Sequence, residues 1–98
     1  MRLRHFIARV RRAYAKVGMR PIRGYFLRRG TRHCCPLTAL FLAETGKRFR
    51  QEGVLARADE EFGKDWRIAF VNAFDGRAWD SDPGRRFGAA LAKALFPH

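Results

Sequence analysis

Residues 3–18 read Leu-Arg-His-Phe-Ile-Ala-Arg-Val-Arg-Arg-Ala-Tyr-Ala-Lys-Val-Gly, and this stretch decides the fold class. Leu3, Phe6, Ile7, Val10, Tyr14 and Val17 recur at steps of three and four, the period of one helical face. Arg2, His5, Arg9, Arg12 and Lys16 fall opposite that face, with Arg4 and Arg11 on one flank. Gly18 is the residue type that ends helices in the left-handed conformation. The pattern predicts a helix over 3–17 that docks its apolar stripe on a core and leaves the basic side outside. The same pattern also suits a helix lying on an anionic membrane. Docking fits better, because the apolar faces further along the chain need a partner.

Those faces continue the helical reading. Pro36 is a favoured first helical residue and Gly46 a stop, which predicts a helix over 36–45 with Leu37, Leu40 and Phe41 inward. A third helix is expected over 50–62, burying Val54, Leu55 and Ala58 before Gly63. A fourth, over 65–75, has Asp65 as N-cap and carries Trp66, Ala69, Phe70, Ala73 and Phe74 up to Gly76. The last, over 83–95, begins at Asp82-Pro83 and carries Phe87, Leu91 and Leu95. Between the first two, Pro21 and Gly24 break any helix and leave room for a short extended segment near residues 22–28. The expected fold is a small all-α bundle of about five short helices. Its core is expected to contain Leu3, Phe6, Ile7, Val10, Leu40, Phe41, Trp66, Phe70, Phe74 and Leu91.

A chain of 98 residues reads as a single domain, here with a strongly basic third over 1–43. No acidic residue precedes Glu44: residues 1–43 carry 11 Lys or Arg, whereas 44–98 hold 10 basic residues against all nine acidic ones. Most of the formal charge of +12 therefore lies in the first part of the chain. Such a field attracts polyanions and acidic surfaces without identifying which. The hydrophobic fraction of 47% excludes a disordered polyelectrolyte. No apolar run approaches the length of a membrane span. The charged start is interrupted by Arg9, Arg11 and Arg12 and does not read as a secretory signal. Two adjacent cysteines with no disulfide framework point to a reducing cytoplasm. Arginine outnumbers lysine 17 to 4 beside 14 alanines and nine glycines. A GC-rich genome produces that combination whatever the function, but it does not explain where the charge is placed.

The candidate phosphate-binding residues are Arg4, Arg9, Arg11, Arg12, Lys16, Arg20, Arg23, Arg28, Arg29 and Arg32. Several of them interleave with Tyr25 and Phe26, as in proteins that stack bases on rings and hold phosphates with cations. Tyr25 and Phe26 fit better as core anchors. Cys34 and Cys35, with His33 beside them, form a candidate thiol site: a helix N-terminus and nearby cations stabilise a thiolate. Structural burial of the thiols is the simpler reading. Residues before an N1 proline are held extended, so the two side chains should point opposite ways, one into the core and the other partly exposed. That geometry argues against a shared metal or a disulfide between them, and the cysteine and histidine spacing matches no zinc site. No metal or cofactor is expected.

Phe62-Gly63-Lys64-Asp65 resembles the turn of the helix-turn-helix motif over roughly twenty residues. Asp59 stands where that motif has a small residue. Only Lys64, Arg67 and Asn72 would be offered to base edges, and Asp59-Glu60-Glu61 would repel phosphates. An ordinary helical corner accounts for the stretch. Asp75 and Asp82 read as helix ends and Asp80 as an arginine partner, because the alternating ligands of a calcium loop are missing. Ser81 has no histidine near it in sequence, and no phosphate loop or catalytic motif is found, so no enzyme is expected. The expected function is non-specific engagement of nucleic acid backbone or another polyanion through the basic third. The alternative is a protein–protein module, an inhibitor or accessory subunit docking on an acidic partner. A thiol-reactive or redox protein is the third reading.

Overall fold

The computed structural model describes residues 1–77 and 84–97. Helix dominates, as expected, and a three-stranded sheet of very short strands is added to it. The chain divides into two compact units, residues 1–54 and 55–98.

Unit 1 opens with α1 (Leu3–Val17), whose limits match the periodicity. Gly18 adopts φ 66° and its N–H bonds the Tyr14 carbonyl, closing the helix. The buried side is formed by Phe6, Val10, Ala13 and Tyr14, while Leu3 and Ile7 are only half-buried. Ala13 thus belongs to the buried side, and Leu3 and Ile7 fall on its margin. That partner is α2 (Pro36–Thr45), against which α1 packs. Pro36, Leu37, Thr38, Ala39, Leu40, Phe41 and Ala43 are all buried. A helix apolar all round belongs inside a core, so the inward side of α2 is wider than Leu37, Leu40 and Phe41.

Between these helices run β1 (Arg20–Pro21), β2 (Leu27–Arg28) and β3 (His33–Cys34), in the order β1-β3-β2. β3 lies parallel to β1, with Arg20 opposite His33, and antiparallel to β2, with Arg28 opposite His33. The extended segment expected near 22–28 is therefore strand only at Leu27 and Arg28, and Gly24 turns at φ 81° between two strands. Pro21, which cannot donate to a ladder, sits on an edge strand.

α3 (Gln51–Phe62) passes through the division between the units. In unit 2, Gly63 alone separates it from α4 (Lys64–Phe74). Gly63 is the N-cap of α4, at φ 98°. Asp65 is instead a first-turn residue, where its charge complements the helix dipole without capping. Asp75 closes α4 as its C-cap, as read. Rings repeat every fourth residue through the corner: Phe62 stacks on Trp66 at 4.4 Å, Trp66 on Phe70 at 5.0 Å, and Phe70 on Phe74 at 6.2 Å.

α5 (Gly84–Leu95) packs along α4. A Cβ on Gly84 would collide with the Trp66 carbonyl oxygen, and one on Gly88 with the Phe70 carbonyl oxygen. These two glycines let the helix backbones approach to within touching distance, and Phe87 and Leu91 are buried beside them. The expected cap Asp82-Pro83, together with Asp80 and Ser81, lies outside the described residues.

Candidate functional site

The division of the chain is also a division of charge. Residues 1–54 contain 14 Lys or Arg and two acidic residues, Glu44 and Glu52, a formal +12. Residues 55–98 contain seven basic and seven acidic residues and are formally neutral. The basic segment thus extends past residue 43. Lys47, Arg48 and Arg50, all exposed, belong to it and were missed because Glu44 interrupts the run. The signal that finds them is the Lys-Arg-Phe-Arg cluster directly after the Gly46 helix stop.

Nine of the ten expected phosphate ligands, Arg4, Arg11, Arg12, Lys16, Arg20, Arg23, Arg28, Arg29 and Arg32, are exposed in unit 1. The tenth, Arg9, is half-buried and makes a bidentate pair with Glu44: Nε donates to Oε2 at 2.7 Å and Nη2 to Oε1 at 2.8 Å. It joins α1 to the end of α2. Arg32 also has a structural task. Its Nε donates to the Gly18 carbonyl at 2.9 Å and its Nη2 to the Val17 carbonyl at 3.4 Å, so a guanidinium closes the negative end of the α1 dipole. Arg28 lies over the ring of Tyr25, 5.8 Å from its centroid. Tyr25 is 55% exposed, so it is no core anchor, and Phe26 is half-buried. Residue 25 follows the φ 81° turn at Gly24, whereas Phe26 begins the return towards β3 by accepting the Cys35 N–H at its carbonyl.

The adjacent thiols part as an extended dipeptide requires. Cys34 is wholly buried and Cys35 half-buried. Cys35 is the N-cap of α2, at φ −71° and ψ 161°, and its sulfur accepts the Thr38 N–H at 3.5 Å. Burial, reinforced by the neighbouring Cys35, pushes the Cys34 thiol up to about 12, so it is protonated at neutral pH. A thiol sealed from water and held protonated is no nucleophile. His33 Nδ1 is buried beside them in sequence and meets no hydrogen-bond partner. Among the described residues no three His, Cys, Asp or Glu side chains gather as a metal site requires.

At the helical corner, Arg67 of α4 is taken up by Asp59 of α3, Nε to Oδ1 at 2.7 Å and Nη2 to Oδ2 at 3.1 Å. The Arg67 guanidinium holds the Asp59 carboxyl below the usual aspartate value. Asn72 bonds the Ile68 carbonyl of its own helix. Two of the three side chains that a recognition helix would offer are thus engaged within the unit. No protein-family model matches the sequence, and no curated protein or solved structure matches it either. Among the described residues no helix is long and apolar enough to cross a membrane.

Proposed function

We propose that residues 1–54 bind nucleic acid through its phosphate backbone without reading its base sequence. The observation that carries this reading is the confinement of the whole formal charge of +12 to unit 1, while residues 55–98 are neutral. Arg, with its planar fork, is suited to phosphate. Arg4, Arg12 and Lys16 are exposed along one helix, and Arg20, Arg23, Arg28 and Arg29 are exposed in the strand region. The exposed Tyr25 ring adds a stacking surface for unpaired bases and supports a preference for single strands. Arg9 and Arg32 serve the fold first.

Fluorescence anisotropy with random single-stranded and duplex oligonucleotides tests the reading. Affinity should fall linearly in log–log form with salt, by about 0.7 to 0.9 per phosphate neutralised, and vary little with sequence. Reversing Arg4, Arg12 and Lys16 together to Glu should weaken all sequences alike and leave the far-UV CD spectrum unchanged. No binding at about 50 mM salt would reject nucleic acid as the partner. It would leave docking on an acidic protein as the use of the charge.

A further inference from the structure

We propose that unit 1 also holds a site for a small amphiphilic anion, a hydrocarbon body carrying one carboxylate or phosphate head. Segments of the unit from the end of α1 to the start of α3 meet around a pocket of about 310 Å³. Leu27 of β2, Leu42 of α2, Phe49 of the connection and Val54 of α3 give it apolar walls, and the end of α1 adds Val17. Arg28, Arg29, Arg32 and Arg48 line the same pocket, and no acidic side chain does. The volume lies at the lower end of small-molecule sites, which are mostly apolar with a few placed polar groups.

The charged side of the pocket is built in advance. Arg29 and Arg32 belong to the four-residue turn joining β2 to β3. The Thr31 hydroxyl fastens that turn by donating to the Arg28 carbonyl at 2.9 Å, and Arg32 fastens it by its bonds to Gly18 and Val17. Among the described residues no carboxylate pairs with Arg28, Arg29 or Arg48. An anionic head therefore displaces no carboxylate from these three arginines.

The walls discriminate against a nucleobase. No Asn, Gln, Asp or Glu side chain lines the pocket, and its two hydroxyls are occupied. Thr31 bonds the Arg28 carbonyl, and Thr38 Oγ1 lies 3.2 Å from the Cys35 sulfur. A base placed there would meet arginine donors but no carboxylate or amide oxygen for its own N–H groups, a cost that an alkyl chain does not meet. The pocket shares Arg28 and Arg29 with the surface proposed for nucleic acid, but its apolar walls, Leu42 and Phe49 among them, belong to the pocket alone, and Arg4, Arg12 and Lys16 do not line it.

Isothermal titration calorimetry of the full chain with decyl phosphate and with decanoate, each below its micellar concentration, tests the proposal. Decanol, inorganic phosphate and anionic phospholipid vesicles serve as controls. One saturable site per chain is expected for an amphiphile, with decanol and inorganic phosphate each weaker by at least roughly tenfold. Comparing the two amphiphiles identifies the head as phosphate or carboxylate. Leu42→Trp should fill the pocket and remove amphiphile binding while leaving oligonucleotide binding unchanged. Should that variant not fold, Arg29→Gln with Arg48→Gln decides, and should weaken the amphiphile by about fivefold or more. Inorganic phosphate binding as tightly as decyl phosphate, many sites per chain, vesicle binding without monomer binding, or a folded Leu42→Trp protein with unchanged affinity would each overturn the proposal.

Discussion

The Tyr14 hydroxyl donates a 2.7 Å hydrogen bond to the carbonyl oxygen of Cys34, joining the buried side of α1 to the last residue of β3. The same carbonyl accepts the Ile22 N–H at 3.3 Å, so one oxygen just before α2 serves both a side chain and the chain following β1. Tyr14→Phe keeps the ring and removes only the donor. It should cost about 1–2 kcal/mol, read as a lower urea midpoint with unchanged m-value. An unaltered midpoint would show that the bond contributes nothing net.

Alkali should unfold the protein earlier than its arginine content alone implies. The Cys34 thiol is raised from an ordinary 9.0 to about 12 by burial, and burial drives the Tyr14 hydroxyl upward too. A proton held more tightly in the folded state stabilises fully below the unfolded value and is lost as pH climbs through the folded one. Urea midpoints should therefore fall from about pH 9 upward, and fall less steeply in Cys34→Ala, whatever its absolute stability.

Maleimide should distinguish the thiols. In the native protein one label should enter, slowly, at half-buried Cys35, and the second only after denaturation. Peptide mass spectrometry assigns the position, and rapid double labelling would contradict the burial of Cys34.

Alanine normally stabilises a helix interior relative to glycine. At Gly88 the sign should reverse, because the added methyl meets the Phe70 carbonyl oxygen and lies 3.1 Å from the Ala73 methyl. Gly88→Ala should destabilise by about 1–3 kcal/mol, as overpacking does. A raised melting temperature would mean that α5 shifts freely along α4.

Arg9→Glu should lower stability rather than merely reduce charge, since it sets two carboxylates together at the end of α2. The loss should be about 1 kcal/mol, and a second change, Glu44→Arg, should restore part of it. Thermal melts of the two single variants and the pair measure the coupling.

The sequence made the limits of α1 and α2 legible because local chemistry sets them: a three-and-four apolar spacing, an N1 proline, and a glycine at each C-terminus. The parting of Cys34 from Cys35 was legible for the same reason, as the conformation forced on residues before Pro36. What depends on a distant partner was not. Gly84 and Gly88 acquire their meaning only when Trp66 and Phe70 present their carbonyls. Asp65 carries a cap's chemistry, but the chain had already turned at Gly63. β3 consists of two residues whose pairing with β1 and β2 leaves no periodic trace. Arg9 and Arg32 look like every other arginine until Glu44 and the end of α1 are brought to them. The basic surface could be read as charge, but not which cations the fold keeps for itself.

The concentration of +12 within residues 1–54 also acts on the fold that bears it. Like charges held within one unit repel each other, and dissolved ions weaken that repulsion. Salt should therefore raise the melting temperature of unit 1, while it would weaken the proposed hold on a polyanion. A bound polyanion would supply the missing counterions itself, so the folded state and the complex would stabilise each other most at low ionic strength. The same arginines proposed to attract a polyanion thus also tie the unit's stability to the ionic strength around it.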